Sequence, residues 1–142
     1  MARRPTPASD DAAPCPCGLG LTYGECCGPA HRGKAPATAE ALMRSRYSAF
    51  ARDDAAYVLS SWHPSNRPVG VEPDPQLRWI GLDVIETVGG GMFDAEGIVE
   101  FRAHYRDGGK PGDMVERSRF VRHDGAWVYW GPILADHSLA GL

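Results

Sequence analysis

The spacing of hydrophobic residues predicts two helices in the first half of the chain. In the segment ATAEALMRSRYSAFARDD, apolar side chains recur at helical spacing after Thr38, a residue type that caps helix N-termini. The recurring positions are Ala39, Leu42, Met43, Tyr47 and Phe50. We therefore expect a helix from about Ala39 to Arg52. A second helix is expected within DDAAYVLSSW, capped by Asp53 or Asp54, and a short helical turn around DPQLRWIGL.

The second half of the chain has the pattern of strands. The segments GLDVIETV, EGIVEFRAHYR, DMVERSRFVRH and AWVYWG are rich in β-branched and aromatic residues and are separated by glycine-containing turns. In the second segment, Val99, Phe101 and Ala103 point to one face, and charged residues between them point to the other. Helices followed by an antiparallel meander indicate an α+β fold, with the helices covering one face of a curved sheet.

The composition of the chain limits where the protein is expected to be located and what it is expected to bind. The first fourteen residues combine alanine, proline, serine and aspartate without periodicity, which predicts a disordered tail over 1–14. This tail lacks the apolar stretch of a secretory signal, and no run of about eighteen apolar residues occurs that could span a bilayer. We therefore expect a cytoplasmic protein without membrane contact. A net charge of -3 and a pI near 5.9 argue against a protein held to nucleic acid by overall charge.

All four cysteines lie within one stretch, CPCGLGLTYGECCG, as Cys15, Cys17, Cys26 and Cys27. Thiolates are soft ligands that suit zinc, and four of them close a tetrahedron without an open position. Glycines in the intervening loop let the chain fold back, so both pairs can reach one ion. Two disulfides or four free thiols are the alternatives, although disulfides belong mainly to exported proteins. His31 could replace one cysteine, but four sulfurs already saturate zinc, which favours a solvated loop histidine.

The cysteine stretch resembles the SEC-C motif, which occurs at the C-terminus of the SecA translocation ATPase and in many small bacterial proteins. The blocks TAEALMRSRYSAFARDDAAYVLSSWHPSNRP, VEFRAHYRDGG and ERSRFVRHDGAWVYWG resemble the YchJ-type family of small SEC-C proteins. This resemblance implies a zinc knuckle over 15–33, with the four cysteines as ligands. It also implies a nuclear-transport-factor-2-like domain over 34–135, a cone of bent antiparallel sheet with covering helices, followed by a C-terminal tail over 136–142.

A conical sheet often holds a pocket, so polar side chains on the same face as aromatic ones are candidate ligand contacts. On the segment DMVERSRFVRH, Glu116 and Ser118 share a face with Met114 and Phe120. The pocket candidates are Arg46, Trp62, His63, Glu116, Ser118, Trp127 and Tyr129. Two hypotheses stay open for Glu116. Among aromatic residues its pKa could rise toward that of a general base, or its carboxylate could form an ion pair with Arg46 or another basic group.

These observations indicate a zinc-binding protein whose knuckle is structural or binds a protein partner, and whose domain binds a small molecule or another protein. One alternative is an isomerase, dehydratase or hydrolase that uses Glu116 or His63 as its base. The other is a ribosome or nucleic-acid adaptor. SEC-C copies in SecA-like proteins tend to carry lysines in the loop where this chain has Leu21, Gly24 and Glu25, which argues against such contacts. The sequence contains no glycine-rich phosphate loop, nucleophile elbow or metalloprotease motif.

Overall fold

The helices lie in the first half of the chain, as the hydrophobic spacing predicts. The computed structural model describes residues 11–133; residues 1–10 of the predicted first tail, and the predicted tail 136–142, lie outside the described residues. A 3-10 turn spans Tyr23–Glu25, and it is followed by helices α1 (Gly28–His31), α2 (Ala39–Ala51) and α3 (Ala55–Ser60). Within 11–133, no helix has the length and hydropathy needed to cross a membrane.

Side-chain caps fix where the two longer helices begin. Thr38 accepts a hydrogen bond from the backbone N–H of Ala41 at 3.1 Å, and Asp54 accepts one from Tyr57 at the same distance. Each cap satisfies a backbone donor that has no partner within its own helix. The predicted positions of both helices are therefore confirmed to within one or two residues.

In the part of the chain that the structure describes, four strands form one antiparallel sheet in the order β1-β2-β3-β4. They are β1 (Leu77–Gly89), β2 (Glu96–Asp107), β3 (Lys110–His123) and β4 (Ala126–Pro132). The helical turn predicted around DPQLRWIGL is wrong, because residues from Leu77 onward pair with the end of β2. The register between β1 and β2 shifts twice, between Trp79 and Gly81 and between Val84 and Glu86.

Helix α2 covers one face of this sheet, and the other face carries paired charges. Val99 and Ala103 of β2 are buried beneath the helix, at 0% and 1% exposure. Between them, Arg102 forms an ion pair with Asp113, and Glu100 accepts a hydrogen bond from Arg117 at 2.9 Å. The alternation along β2 and the α+β class are thus confirmed.

The segment after α3 joins the edge of β4. Tyr129 donates its N–H to Ser61 O, and His63 donates its N–H to Tyr129 O, both at 2.8 Å. This short parallel bridge places the ring of Trp62 against that of Tyr129, with ring centroids 5.1 Å apart. The end of α3 is therefore attached to the sheet beside the space between α2 and β3.

Gly97 is a position where the fold leaves no room for a side chain. A Cβ added to Gly97 would lie 2.5 Å from Gly90 Cα and 3.0 Å from Ala39 Cβ. We expect Gly97→Ala to lower the free energy of unfolding by about 1–3 kcal/mol, because the backbone of Gly90 and the side chain of Ala39 would have to move. Gly70→Ala is the matched control, since nothing lies within 4 Å of its added Cβ. Urea denaturation measures both, and equal stabilities would contradict this packing.

Candidate functional site

The four cysteine sulfurs converge on one point. All four Sγ atoms lie within 4.8 Å of one another, with 3.4 Å between Cys17 and Cys26 and 4.0 Å between Cys26 and Cys27. A tetrahedral site with metal–sulfur bonds of about 2.3 Å has sulfur–sulfur edges of about 3.8 Å. The cysteines are free, and a disulfide would need sulfurs about 2.05 Å apart. The donor set therefore fits a metal ion, and the disulfide alternative is not what the structure contains.

A small hairpin brings the two cysteine pairs together. Cys15 donates its N–H to Leu21 O at 3.0 Å, and Tyr23 donates its N–H to Ala13 O at 2.8 Å. Gly18 and Gly20 adopt φ angles of 77° and 100° in the loop between these bonds, a conformation that glycine adopts without strain. The ordered segment thus begins at least two residues before the predicted start of the knuckle at Cys15.

The thiols oppose one another's ionisation when no cation is present. Hydrogen bonds from Cys17 and Cys27 hold the pKa of Cys15 far below its usual range. The hydrogen bonds of Cys27 with Cys15 and Cys17, and then burial, raise its pKa, while burial raises that of Cys26 to about 12. Holding four thiolates this close together would require a cation among them.

Helix α2 supports the cluster from one side. Ser48 is fully buried and places its Oγ 3.5 Å from the Sγ of Cys15. Arg44, one turn earlier on the same helix face, donates from Nη1 to the backbone oxygen of Cys17 at 3.0 Å. Its Nε donates to Glu40 at 3.0 Å, which fixes the orientation of the guanidinium. The helix thus holds one member of the first cysteine pair through a side chain and the other through the backbone.

His31 connects the cysteine segment to α2 and is neither a ligand nor a solvated residue. Its Nδ1 lies 2.6 Å from the hydroxyl of Tyr23, and its Nε2 lies 2.8 Å from the backbone oxygen of Ser45. Because the carbonyl of Ser45 can only accept, Nε2 carries a proton. The ring also packs on Tyr57 at a centroid distance of 4.6 Å. The interpretation as a solvated loop histidine is therefore wrong.

The cysteine cluster is part of the hydrophobic core of the domain. One apolar cluster contains Tyr23, Tyr47 and Ala103 together with the buried cysteines Cys15, Cys17 and Cys27. It thereby joins the knuckle, α2 and β2. The knuckle and the domain therefore share one core, although the sequence divides them into separate segments at residues 33 and 34.

A cavity of about 300 Å³ lies between α2 and the inner face of the sheet. Its predicted wall on β3 is present, since Met114, Glu116, Ser118 and Phe120 all line it. The remaining lining residues are Met43, Arg46, Tyr47, Phe50, Trp62, Trp79, Phe101, Ala103 and Tyr129. Two of the sequence candidates lie elsewhere. His63 packs on His123 and Trp130, and Trp127 donates its indole N–H to Ala37 O at 3.2 Å.

Arg46 and Glu116 face the same cavity without forming the predicted ion pair. The carboxylate of Glu116 accepts hydrogen bonds from Ser118 at 2.5 Å and Tyr129 at 2.7 Å. Arg46 instead lies over the Tyr129 ring, with its Cζ 4.4 Å from the centroid. No ion pair among residues 11–133 joins the two, and each contacts Tyr129 instead, at the ring and at the hydroxyl. Burial lowers the pKa of Arg46 to about 10.

Comparison with known protein families agrees with both parts of this structure. The sequence model described as the YchJ middle NTF2-like domain matches residues 38–132, and that of the SEC-C motif matches residues 13–29. The first match covers more than half of the chain. The chain belongs to the YchJ-like UPF0225 family. The resemblance found in the sequence, and the NTF2-like fold that it implies, are therefore confirmed.

Relatives of this UPF0225 chain span nearly its whole length. A UPF0225 protein of Streptomyces coelicolor is 54% identical over 82% of this chain and 91% of its own length. One from Corynebacterium efficiens is 50% identical over 81% of this chain and 88% of its own length. The solution structure of a SEC-C motif containing protein from Rhodopseudomonas palustris matches with a TM-score of 0.74 and 35% identity, over 86% of this chain and 98% of that one.

A second solved structure supports the fold alone. The crystal structure of a SEC-C motif containing protein from Psychrobacter arcticus gives a TM-score of 0.73 at 24% identity, over 89% of this chain and 85% of that one. The shared fold therefore extends beyond close sequence likeness.

Several contacts of the UPF0225 site could not be found from the sequence pattern. Ser45 donates to Leu42 O at 2.7 Å and lies 2.6 Å from the hydroxyl of Tyr57, so α2 and α3 share a polar link behind His31. Ser45 and Tyr57 lie on different helices, so no periodic pattern in the sequence indicates that they are in contact. Met43, Tyr47 and Phe50 could have been assigned to the cavity, because they share the apolar stripe of α2.

Replacing Glu116 tests the polar network of the cavity. Glu116→Gln removes the charge that strengthens two hydrogen bonds, and we expect the free energy of unfolding to fall by about 1–3 kcal/mol. Glu96→Gln is the control, since Glu96 pairs with Arg119 on the exposed side of the sheet and should change stability little. Thermal unfolding compares the variants. A melting temperature of Glu116→Gln that is unchanged or raised would show that the carboxylate is not structural.

Proposed function

We propose that this UPF0225 protein binds one zinc ion through Cys15, Cys17, Cys26 and Cys27, and that the ion fastens the knuckle to an NTF2-like domain whose cavity binds a small ligand. The convergence of four sulfurs within 4.8 Å carries this proposal. Zinc suits the site because it accepts four thiolates in a closed tetrahedron. Its positive charge would let all four cysteines ionise together.

A structural role for the ion follows from the donor set. Four sulfur ligands leave no position for water or substrate, so a metal here would not act as a Lewis acid on a bound molecule. Three of the four cysteines are also buried, which limits access of solvent to the site. The metal would instead supply order to a segment that has few apolar side chains of its own.

The cavity supports binding more than catalysis. His63 lies outside it, so of the two candidate bases only Glu116 faces the interior. The carboxylate of Glu116 is already engaged, because it accepts hydrogen bonds from Ser118 and Tyr129. The lining is mostly aromatic and aliphatic, as in sites that bind small molecules.

The arginines give little support to a nucleic-acid or ribosome adaptor. Arg102 and Arg119 each form an ion pair with a carboxylate, and Arg117 forms two. Arg32 and Arg44, near the knuckle, pair with Asp11 and Glu40. Such pairing lowers the positive potential that phosphate binding needs.

A protein partner for the knuckle is a second proposal. Leu19 and Leu21, at the tip of its loop, are 51% and 44% exposed. Apolar side chains held on a turn between two metal-ligand pairs would present a defined contact to another protein. Loss of a partner's binding in a Leu21→Asp variant that retains zinc would test this role.

Elemental analysis tests the zinc site. Protein purified without added metal should contain close to one equivalent of zinc, because the four ligands close a site in the folded chain. Cys17→Ser should lose most of it. Ser48→Ala is the matched control and should keep the metal, since Ser48 contacts a cysteine sulfur without being a ligand. Metal-free protein with intact disulfides would rule out the site.

Chelation tests whether the knuckle and the domain are coupled. The buried cysteines share a core with Tyr47 and Ala103, so removing the ion should destabilise the domain as well as the knuckle. We expect a loss of about 3 kcal/mol, or roughly 10 °C in melting temperature. Cys17→Ser treated with the same chelator should show no further change. A melting temperature unaffected by chelation, while amides of 15–33 lose exchange protection, would show that the knuckle orders independently.

A further inference from the structure

Two opposite charges contact Tyr129 in the cavity, Arg46 over the ring and Glu116 at the hydroxyl. Arg46 is 6% exposed, and its Cζ lies 4.4 Å from the Tyr129 centroid and 5.0 Å from that of Trp62. The hydroxyl of Tyr129 donates to Oε2 of Glu116 at 2.7 Å. The two charged groups therefore contact different parts of one aromatic side chain, and both line the same space.

Each charged group has hydrogen-bonding capacity that the protein does not use. Arg46 donates only from Nη1, to Val58 O at 2.8 Å and to Ser61 Oγ at 2.7 Å. Its Nε and Nη2 make no hydrogen bond with a residue in 11–133, and neither does Oε1 of Glu116. A buried charge that lacks an opposite partner is costly, so a ligand that supplies the missing contacts gains affinity from them.

Trp62 supports the guanidinium of Arg46 at one end of the cavity. The Cζ of Arg46 lies 5.0 Å from the centroid of the indole ring. The Nε1 of Trp62 is buried and has no hydrogen-bond partner among residues 11–133, but it has no accessible surface that a ligand could contact. An acceptor-rich group, such as a carboxylate, therefore matches the unused donors of Arg46.

The size and the walls of the cavity limit the rest of the ligand. At about 30 Å³ for a water-sized group, a volume near 300 Å³ holds roughly ten non-hydrogen atoms. Phe50, Trp79, Phe101 and Phe120 provide aromatic walls. A flat, apolar body about the size of one ring is therefore the best fit.

We propose that the cavity binds a small aromatic acid whose carboxylate faces Arg46 and whose far end carries a hydrogen-bond donor that faces Glu116. This inference rests on the proposed function of the cavity as a ligand site, and it adds the chemical class. A simple anion would leave Oε1 of Glu116 without a hydrogen-bond donor. An apolar molecule would leave the unused atoms of both Glu116 and Arg46 without partners. An aromatic hydroxy acid satisfies both ends with one ring between them.

Binding of three probes to the zinc-loaded full chain tests the class. The probes are 4-hydroxybenzoate, which has both end groups, benzoate, which lacks the donor, and phenol, which lacks the acid. In calorimetric titrations we expect 4-hydroxybenzoate to bind at least about tenfold more tightly than either of the others. In the Arg46→Met variant, we expect 4-hydroxybenzoate to bind no more tightly than phenol.

A pair of neighbouring substitutions assigns the binding to the cavity even if Arg46→Met does not fold. Met114 lines the cavity, so Met114→Trp should fill it and abolish binding of all three probes. Val115 is the next residue, points to the opposite face and is 47% exposed, so Val115→Trp should bind as the unmodified chain does.

The outcomes separate the ligand class from the function of the cavity. Phenol or benzoate could bind saturably, in a way that Met114→Trp abolishes, and as tightly as 4-hydroxybenzoate does. That result would overturn the two-ended ligand class, while the cavity would remain a ligand site. If none of the probes binds saturably at millimolar concentration, both inferences are overturned. Binding that survives Met114→Trp unchanged would also overturn them, since it would occur outside the cavity.

Discussion

Helix α2 is shared by the cysteine cluster and the cavity, and the rest of the structure depends on this double contact. Arg44 and Ser48 contact the cysteine segment, while Arg46 and Phe50 face the cavity. Tyr47 belongs to both, because it packs in the core of the knuckle and lines the cavity wall. A rearrangement at either site would therefore move α2, a rigid helix to which the other site is also attached.

This arrangement explains how a segment with almost no core of its own can hold a fixed position. The cysteine hairpin contributes Tyr23 and three buried sulfurs, and α2 and β2 contribute the surface against which they pack. His31 adds polar contacts on the helix side, to Tyr23 and to the backbone of Ser45. Metal ligation and tertiary packing would thus both stabilise the conformation of the cysteine hairpin.

Local patterns predict much of this protein, and contacts distant in sequence account for what they miss. Helix α2, its cap at Thr38 and the four strands follow from periodicity, and the cysteine spacing indicates the cluster. The local pattern predicts a turn at the start of β1, because the strand partner of Leu77 is Asp107, thirty residues further along the chain. Arg46 and Glu116 both contact Tyr129, whose position depends on the bridge from Trp62 to β4, so neither contact could be predicted from local sequence.

The two register shifts of β1 change how well this edge of the sheet could pair with another strand. β1 is an edge strand, and Ile80, Ile85 and Val88 are exposed along it, at 54%, 50% and 45%. A regular edge with such side chains would offer a template for another copy of the chain. Each irregularity interrupts the even row of backbone donors and acceptors and adds local twist. A second strand could therefore match this edge over only a few residues at a time, which disfavours fibrous stacking.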